Sequence, residues 1–416
     1  MNTWSLSRRG LATVISLEVR QRLRSKRWII ILIAWFIFIG LNTGLIIWSM
    51  YSTYSYDCAE YQQCSMQNSN AGPMSFGFIT LFILGMGLVI APAFTATTIN
   101  SDRAAGTLAL VQATKLSTIE ILLGKLIAAW STVAVFMVVA LPFIVLSTIL
   151  GNISWLQVVV CFLVIFALVA IICAIGLGWS AVFTKTVAST VVTYLTVLVL
   201  AIISPMAMLF SVAFMDQETT VRVWGLNQTD MMAYQSQIDE YWSSEYDPNQ
   251  PSKQPPAVPV ELCQWSERKE WASRTDLVWW MLIPNPFVIV ADAAPRSPST
   301  SEFGMFDSPL GLLSEAVREA ARGPAREVDE CLSLFSYNPA YEVDYQPDGS
   351  VIITTRDGQR VELPDSPVKP RPQASTQPVW PLGLGVNLII GAGFVYLAVR
   401  RLTIPYAQLS KGTRIA

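Results

Sequence analysis

The chain has 416 residues and no histidine, and although 52% of its residues are hydrophobic, only 14% are charged. A soluble domain of ordinary composition is about 25% charged, so this composition predicts that lipid surrounds much of the chain. The mean hydropathy of +0.44 agrees with that prediction. The absence of histidine excludes a Ser-His-Asp hydrolase triad and a zinc site of the HExxH type.

Six apolar runs contain no acidic or basic side chain, and each has at least the roughly 20 residues that a helix needs to cross a bilayer. They predict an α-helical integral membrane protein with six transmembrane helices, five within 28–215 and the last at 379–399. Pro92, Pro142 and Pro205 interrupt three runs and predict kinks, whose freed carbonyls are satisfied by neighbouring groups in a membrane bundle. In order, the runs are 28–50, 74–99, 126–150, 153–183, 187–215 and 379–399.

The distribution of Lys and Arg predicts the side of the membrane on which each loop lies. Basic residues are concentrated before the first run, between the second and third runs, and in the tail 400–416, whereas the connections 51–73 and 151–152 contain none. Because cytoplasmic loops carry the excess of Lys and Arg, both termini are expected in the cytoplasm. The connection 216–378 is then extracytoplasmic, since long loops translocate regardless of their charge.

Four of the cysteines fall in predicted outer segments, where an oxidising compartment favours disulfides. The sequence alone allows three pairings. We favour the local pairing, Cys58 with Cys64 and Cys263 with Cys331, and free buried thiols are the alternative.

The chain lacks the residues of an energy-converting site. No span has an acidic or basic residue in its interior, which argues against a proton-coupled pump. No GxxxxGK[ST] phosphate loop is present, because Gly124-Lys125 is followed by Leu126 rather than by a hydroxyl residue. The chain therefore binds no ATP by that route and is expected to hold no cofactor of its own. Either it is passive, or another subunit supplies the energy.

Residues 1–27 are expected to form a cytoplasmic amphipathic helix that lies in the membrane interface. An apolar stripe runs along 11–27 and basic side chains crowd its end, as is typical of interfacial helices. A simple positively charged flank is the alternative. The stripe consists of Leu11, Val14, Ile15, Val19 and Leu23.

The connection 100–118 predicts a compact helix-turn-helix, a form suited to docking a motor subunit. Ser101 or Asp102 is expected to cap its short helix. Ser117, with Glu120 three residues later, forms a capping box, which predicts that the third membrane helix begins there.

Three short runs in this region carry a family resemblance: Asp-Arg-Ala-Ala-Gly-Thr-Leu at 102–108, Thr-Lys-Leu-Ser at 114–117 and Leu-Leu-Gly-Lys at 122–125. They resemble the permeases of ABC-2-type exporters, which typically show acid-Arg-Glu-x-Gly-Thr-Leu, Thr-Pro-Leu-Ser and Leu-Leu-Gly-Lys. Here Ala104 replaces the second acid and Lys115 replaces the proline. The Pro-Asn-Pro-Phe run at 284–287 is similar to an Asn-Pro segment that the family carries before its last membrane helix.

The resemblance implies the membrane subunit of an exporter in a bacterial plasma membrane. Such a subunit pairs with a second permease subunit, alike or different, and with separate ATP-binding subunits that hold ATP and Mg. For Gly106 a turn requirement alone, and for Asp102 a helix cap alone, are the alternatives to a contact with the ATPase. The residues implied to couple to that subunit are Asp102, Arg103, Gly106, Thr107 and Lys115.

The outer connection 216–378 predicts a small α/β domain. A short helix is expected at 314–322, and alternation with two turn signals predicts a three-strand meander over 341–363. The apolar segment 277–291 is too short and too interrupted by proline to span, so it is expected to be re-entrant or to lie in the outer leaflet.

Hydroxyl side chains in the second and fifth spans are candidates for a route between protomers. Hydrogen bonds back to their own helix are the alternative. These residues are Thr95, Thr97, Thr190, Thr193 and Thr196.

Two functions therefore remain. The first is a membrane-spanning permease whose partners are an ATPase, a second permease and the lipid bilayer, with no nucleic acid. The second is a membrane sensor or scaffold whose extracytoplasmic domain binds a partner. An enzyme has little support, because histidine and intramembrane acids are missing.

Overall fold

The structure of the chain is a computed structural model. It describes residues 6–23, 26–60, 71–106, 117–243, 256–295, 308–338, 340–345, 351–355, 359–361 and 378–402. Within these residues six helical segments are long and apolar enough to cross a membrane, which confirms the six predicted spans. The segments are Trp28–Ser52, Ala71–Ala104, Thr118–Leu150, Trp155–Val182, Thr186–Val212 and Trp380–Leu402.

The described residues form two compact units. The helical unit comprises Met1–Met208, Trp280–Val317 and Gln377–Ala416, and the mixed unit comprises Leu209–Trp279 and Arg318–Thr376. The helices are α1 Arg8–Leu23, α2 Lys26–Glu60, α3 Ala71–Thr95, α4 Thr98–Ala104, α5 Thr118–Leu150, α6 Trp155–Val182, α7 Thr186–Leu198, α8 Ser204–Val212, α9 Gln228–Ser243, α10 Pro286–Ala293, α11 Pro309–Arg322, α12 Glu330–Tyr337 and α13 Trp380–Leu402. A π-helical turn, Val199–Ile203, joins α7 to α8.

The first membrane helix is longer than predicted. The sequence predicts a loop from residue 51, whereas α2 continues to Glu60 and has 35 residues. At a rise of about 1.5 Å per residue it is about 52 Å long, which exceeds the roughly 30 Å hydrocarbon core. The helix continues because residues 51–60 contain neither glycine nor proline to end it.

The second span bends where α3 gives way to α4. The cap predicted at Ser101 or Asp102 is wrong, because α4 begins at Thr98 and both residues lie inside it. The Ser180 hydroxyl of α6 accepts the backbone N–H groups of Ile99 and Asn100 at 3.0 and 3.3 Å. The first turn of α4 therefore receives its hydrogen-bond acceptor from another helix, so no local cap is needed.

The core of the helical unit lies along α6. Helix α13 packs along α6, α3 packs against both α5 and α6, and α1 packs against α5. The approach of α3 to α6 is close, because a Cβ at Gly176 would lie 2.0 Å from the Thr95 hydroxyl oxygen. These contacts position the helix ends that are described below as candidate sites.

The mixed unit contains two three-stranded sheets. Its strands are β1 Asp216–Gly225, β2 Gln264–Ser273, β3 Glu327–Asp329, β4 Tyr341–Tyr345, β5 Val351–Thr355 and β6 Arg360–Val361. The first sheet has the order β2-β1-β3, in which β1 is antiparallel to β2 and parallel to β3. The second is the antiparallel meander β4-β5-β6 expected from the turn signals over 341–363.

The mixed unit contains a disulfide between distant residues and a local ion pair. Cys263 and Cys331 form a disulfide with their Cα atoms 6.4 Å apart, beside a core that contains Phe335. Arg274 donates two hydrogen bonds of 2.8 Å to Asp276. These bonds hold the pKa of the Asp276 carboxyl below its usual range. The pairing of Cys58 with Cys64 stays a prediction, because residue 64 lies outside the described part of the chain.

Candidate functional site

Three helix ends meet in the helical unit. We call this region the α1–α4–α5 junction and define it as α1, α4 and residues 117–125 at the start of α5. The predicted capping box is present, since the Ser117 hydroxyl accepts the Glu120 N–H and the Glu120 carboxylate accepts the Ser117 N–H. The same carboxylate accepts the backbone N–H of Ser7, just before α1. The start of α5 is thereby attached to the start of α1.

Lys125 joins all three helices of the junction. Its Nζ lies 2.6 Å from Glu18 Oε1 on α1 and 2.6 Å from Asp102 Oδ2 on α4. The exposed fractions are 8% for the lysine, 15% for Glu18 and 28% for Asp102, so the cluster is mostly shielded from water. One turn away α1 presses directly on α5, because a Cβ at Gly124 would lie 2.5 Å from a Val14 methyl group.

The structure brings only part of the predicted coupling set into view. Asp102 and Arg103 lie in α4, and Gly106 follows its end in the left-handed region with φ +71. Among the described residues no atom lies within 4 Å of an added Cβ at Gly106, and the glycine suits the left-handed backbone conformation there. Thr107 and Lys115 lie outside the described residues.

Glu18 and the role of Lys125 were missed by the sequence analysis. Lys125 appears there only as the end of a motif. A signal for Glu18 exists, because it is the one acidic residue among the first 27. A lone acid inside a basic segment favours an ion-pair role, but the sequence does not show which of the distant lysines it meets.

A second polar site surrounds α10. Asn285 is 2% exposed and caps α10, because its Oδ1 accepts the N–H groups of Phe287 and Val288 at 2.9 and 3.3 Å. Its Nδ2 donates to the Ala201 carbonyl and to the Ser204 hydroxyl, both at 3.0 Å. Asn285 therefore ties the start of α10 to the π-helical turn of the fifth span.

The other end of α10 is tied to the last span. Asp292, 5% exposed, accepts the backbone N–H groups of Val379 and Trp380 at 2.5 and 2.9 Å. Its second carboxylate oxygen accepts a hydrogen bond of 3.2 Å from Ser314 on α11. A carboxylate at the N-terminus of a helix satisfies amides that have no partner within the helix. The segment predicted to be re-entrant is thus a short helix that joins two spans of the helical unit.

The candidate pathway threonines are engaged within their own helices. Four of them donate to the carbonyl four residues earlier, over 2.7 to 2.9 Å. Thr97 precedes α4 without capping it through its side chain. The four are Thr95, Thr190, Thr193 and Thr196. This geometry matches the alternative of back-bonded hydroxyls, and a role in a pathway stays a prediction.

A protein-family comparison bears on the α1–α4–α5 junction. The model of the ABC-2 family transporter proteins matches residues 12–284, more than half of the chain. The match covers α1 from residue 12, α4, the start of α5 and the fifth span, and it ends just before Asn285. The chain matches no curated protein sequence at a significant level.

Proposed function

Because this chain belongs to the ABC-2 family of transporter proteins and is a multi-pass membrane permease, we propose that it moves its substrate outward, using ATP hydrolysed by a separate subunit. ABC-2 membrane proteins generally work with ATP-binding subunits and are themselves non-enzymatic components. In this proposal ATP and Mg are bound by the partner and not by this chain. A second permease subunit, identical or different, completes the exporter in a bacterial plasma membrane.

The proposal assigns each part of the chain to one side of the membrane. Residues 1–27 lie in the cytoplasmic interface, and the tail 400–416 is cytoplasmic as well. Residues 216–378 are extracytoplasmic, and the segment near 277–291 within them is re-entrant. The absence of Lys and Arg from 51–73 and 151–152 supports this orientation.

The observation that carries the proposal is the α1–α4–α5 junction. It attaches two short helices to one end of a spanning helix by a shielded lysine with two carboxylate partners. Arg103 and Gly106 lie at the end of α4, from which the chain enters residues 107–116. A motor subunit that docks on 100–118 would move α4, and the junction would pass that movement to a spanning helix. The coupling residues are Asp102, Arg103, Gly106, Thr107 and Lys115.

The test begins with purification of the tagged protein from its native membrane in mild detergent. We expect a stoichiometric ATP-binding subunit to co-purify and the assembled complex to show ATPase activity. Replacing Gly106 by Val forces a side chain into the left-handed region, which costs about 1–2 kcal/mol, and should weaken binding of that subunit about tenfold. Gly385→Val is the matched control, since no atom lies within 4 Å of a Cβ at Gly385.

Two results would contradict the proposal. If no ATP-binding subunit accompanies the intact protein and another surface partner does, the sensor or scaffold function holds instead. If the ATPase binds but both glycine variants bind it equally well, the assignment of Gly106 to the docking element is wrong.

A further inference from the structure

We propose that Lys125 is a positioning residue that makes α1 and α4 move as one body when the ATP-binding subunit closes. The inference rests on the proposed function, because it needs a motor subunit that docks on α4. It adds two residues, Glu18 and Lys125, that the docking contact itself does not require. In this arrangement Asp102 also links α4 to Lys125.

The geometry indicates ion pairs that connect helices rather than an isolated ion pair at the surface. An ammonium group has three N–H donors, and here two carboxylates from different helices lie within 2.6 Å of it. The two acids reach the same nitrogen although Glu18 lies 107 residues before Lys125 in the chain. One lysine on α5 therefore sets the distance between the side of α1 and the end of α4.

The burial of Lys125, Glu18 and Asp102 determines how strongly their ion pairs can couple the movements of α1 and α4. Exposed ion pairs are screened by water and contribute little, whereas removing one partner of a shielded pair leaves a charge without its counterion. Lys125 is 8% exposed. The pair of Lys269 with Glu218 in the mixed unit is 3.3 Å long, and its side chains are 70% and 50% exposed. The Lys125 pairs should therefore resist separation of their helices, whereas the Lys269–Glu218 pair should not hold its strands in place.

Two further described contacts hold α1 on α5. Ser7 and Val14 attach α1 to Glu120 and Gly124, so both of these contacts link α1 to α5. Lys125 adds the carboxylate of α4 to that assembly. Loss of its charge should leave α1 resting on α5 while α4 moves independently.

The test is hydrogen–deuterium exchange of the complete complex in nanodiscs, without nucleotide and after trapping with ATP and vanadate. The two segments followed are 8–23 in α1 and 98–106 in α4. In the wild type we expect trapping to change the exchange of both segments together. In Lys125→Met we expect trapping to change 98–106 alone, and 8–23 to exchange about tenfold faster at rest, as the loss of a charged hydrogen bond predicts.

Matched variants separate coupling from general damage. Lys269→Met removes an exposed lysine of the same kind and should behave as the wild type. Glu18→Gln keeps the size of the side chain and the bond from Lys125 to Asp102, so it should uncouple α1 even if Lys125→Met does not fold. Lys125→Arg keeps the charge and should restore part of the joint response.

Each contrary result has a distinct meaning. If Glu18→Gln and Lys125→Met both keep the joint response, or if wild-type trapping changes 98–106 without 8–23, the proposed role of Lys125 is wrong while the exporter function stands. If no ATP-binding subunit co-purifies with the wild type, the exporter function fails and this inference fails with it.

Discussion

We expect Asn285 to satisfy the backbone carbonyl that Pro205 leaves without its helical partner in the fifth span, and removal of the Asn285 side chain tests this. In a regular α-helix the Ala201 carbonyl would accept the N–H of residue 205, but Pro205 has none. The Asn285 amide donates to that carbonyl and to Ser204, while its oxygen caps α10. Loss of the cap costs about 1 kcal/mol, and each hydrogen bond inside a membrane protein averages about 0.6 kcal/mol. We therefore expect Asn285→Ala to lower the free energy of unfolding by about 2 kcal/mol.

A double-mutant cycle assigns the effect to the kink. Pro205→Ala supplies an N–H to the Ala201 carbonyl, so in that background Asn285→Ala should cost only the cap and the bond to Ser204, about 1.6 kcal/mol. Asn285→Asp keeps the oxygen that caps α10 and removes the two donors, so its cost reports the loss of the bonds to Ala201 and Ser204. The assay is reversible unfolding of the purified chain by SDS in mixed micelles. An equal cost of Asn285→Ala with proline and with alanine at position 205 would refute the reasoning.

Three further predictions concern other parts of the chain. The double variant Cys263→Ser with Cys331→Ser opens a loop with a sequence separation of 68. Calorimetry of the full chain should show that the free energy of unfolding of the mixed unit falls by about 4 kcal/mol. A small change would mean that the unfolded unit is already compact. Arg274 lowers the pKa of Asp276 in the folded protein. The stability that this adds is fully present above the ordinary pKa of 3.8 and is lost as the pH falls through the folded pKa. Asp276→Asn should therefore flatten the acid limb of a pH–Tm curve below about pH 4, and an unchanged limb would contradict this. Gly124→Leu should push α1 off α5 and raise the protease sensitivity of α1, because even a Cβ there lies 2.5 Å from a valine methyl; unchanged cleavage would show that α1 adapts.

The membrane helices were predictable because their signals are local. Apolar length gives the number of spans, and the capping box of Ser117 and Glu120 fixes the start of α5 to the residue. Asn285 before Pro286 is a readable start for α10, since Asn favours the N-cap and Pro the first helical position. Each of these signals is contained in one continuous stretch of the sequence.

The remaining features depend on distant partners. The helical break before α4 is sealed by Ser180 from another span, so no nearby residue announces where α4 begins. Lys125 and Glu18 meet across 107 residues, and neither residue alone specifies the other. The end of α2 was misplaced for a different reason, because hydropathy reports where lipid ends and not where a helix ends.

Four polar contacts of the helical unit lie where a helix stops, bends or begins. Ser180 serves the α3–α4 break, Asn285 the π-helical turn, Asp292 the start of α13 and Lys125 the meeting of α1 with α4. Lipid tails are as apolar as leucine, so close packing and interhelical hydrogen bonds together hold membrane helices in place. A movement of α4 must therefore break the contact with Ser180 or carry α6 along, whereas its bond to Lys125 carries α1 and α5. The polar contacts thus determine which helices follow α4.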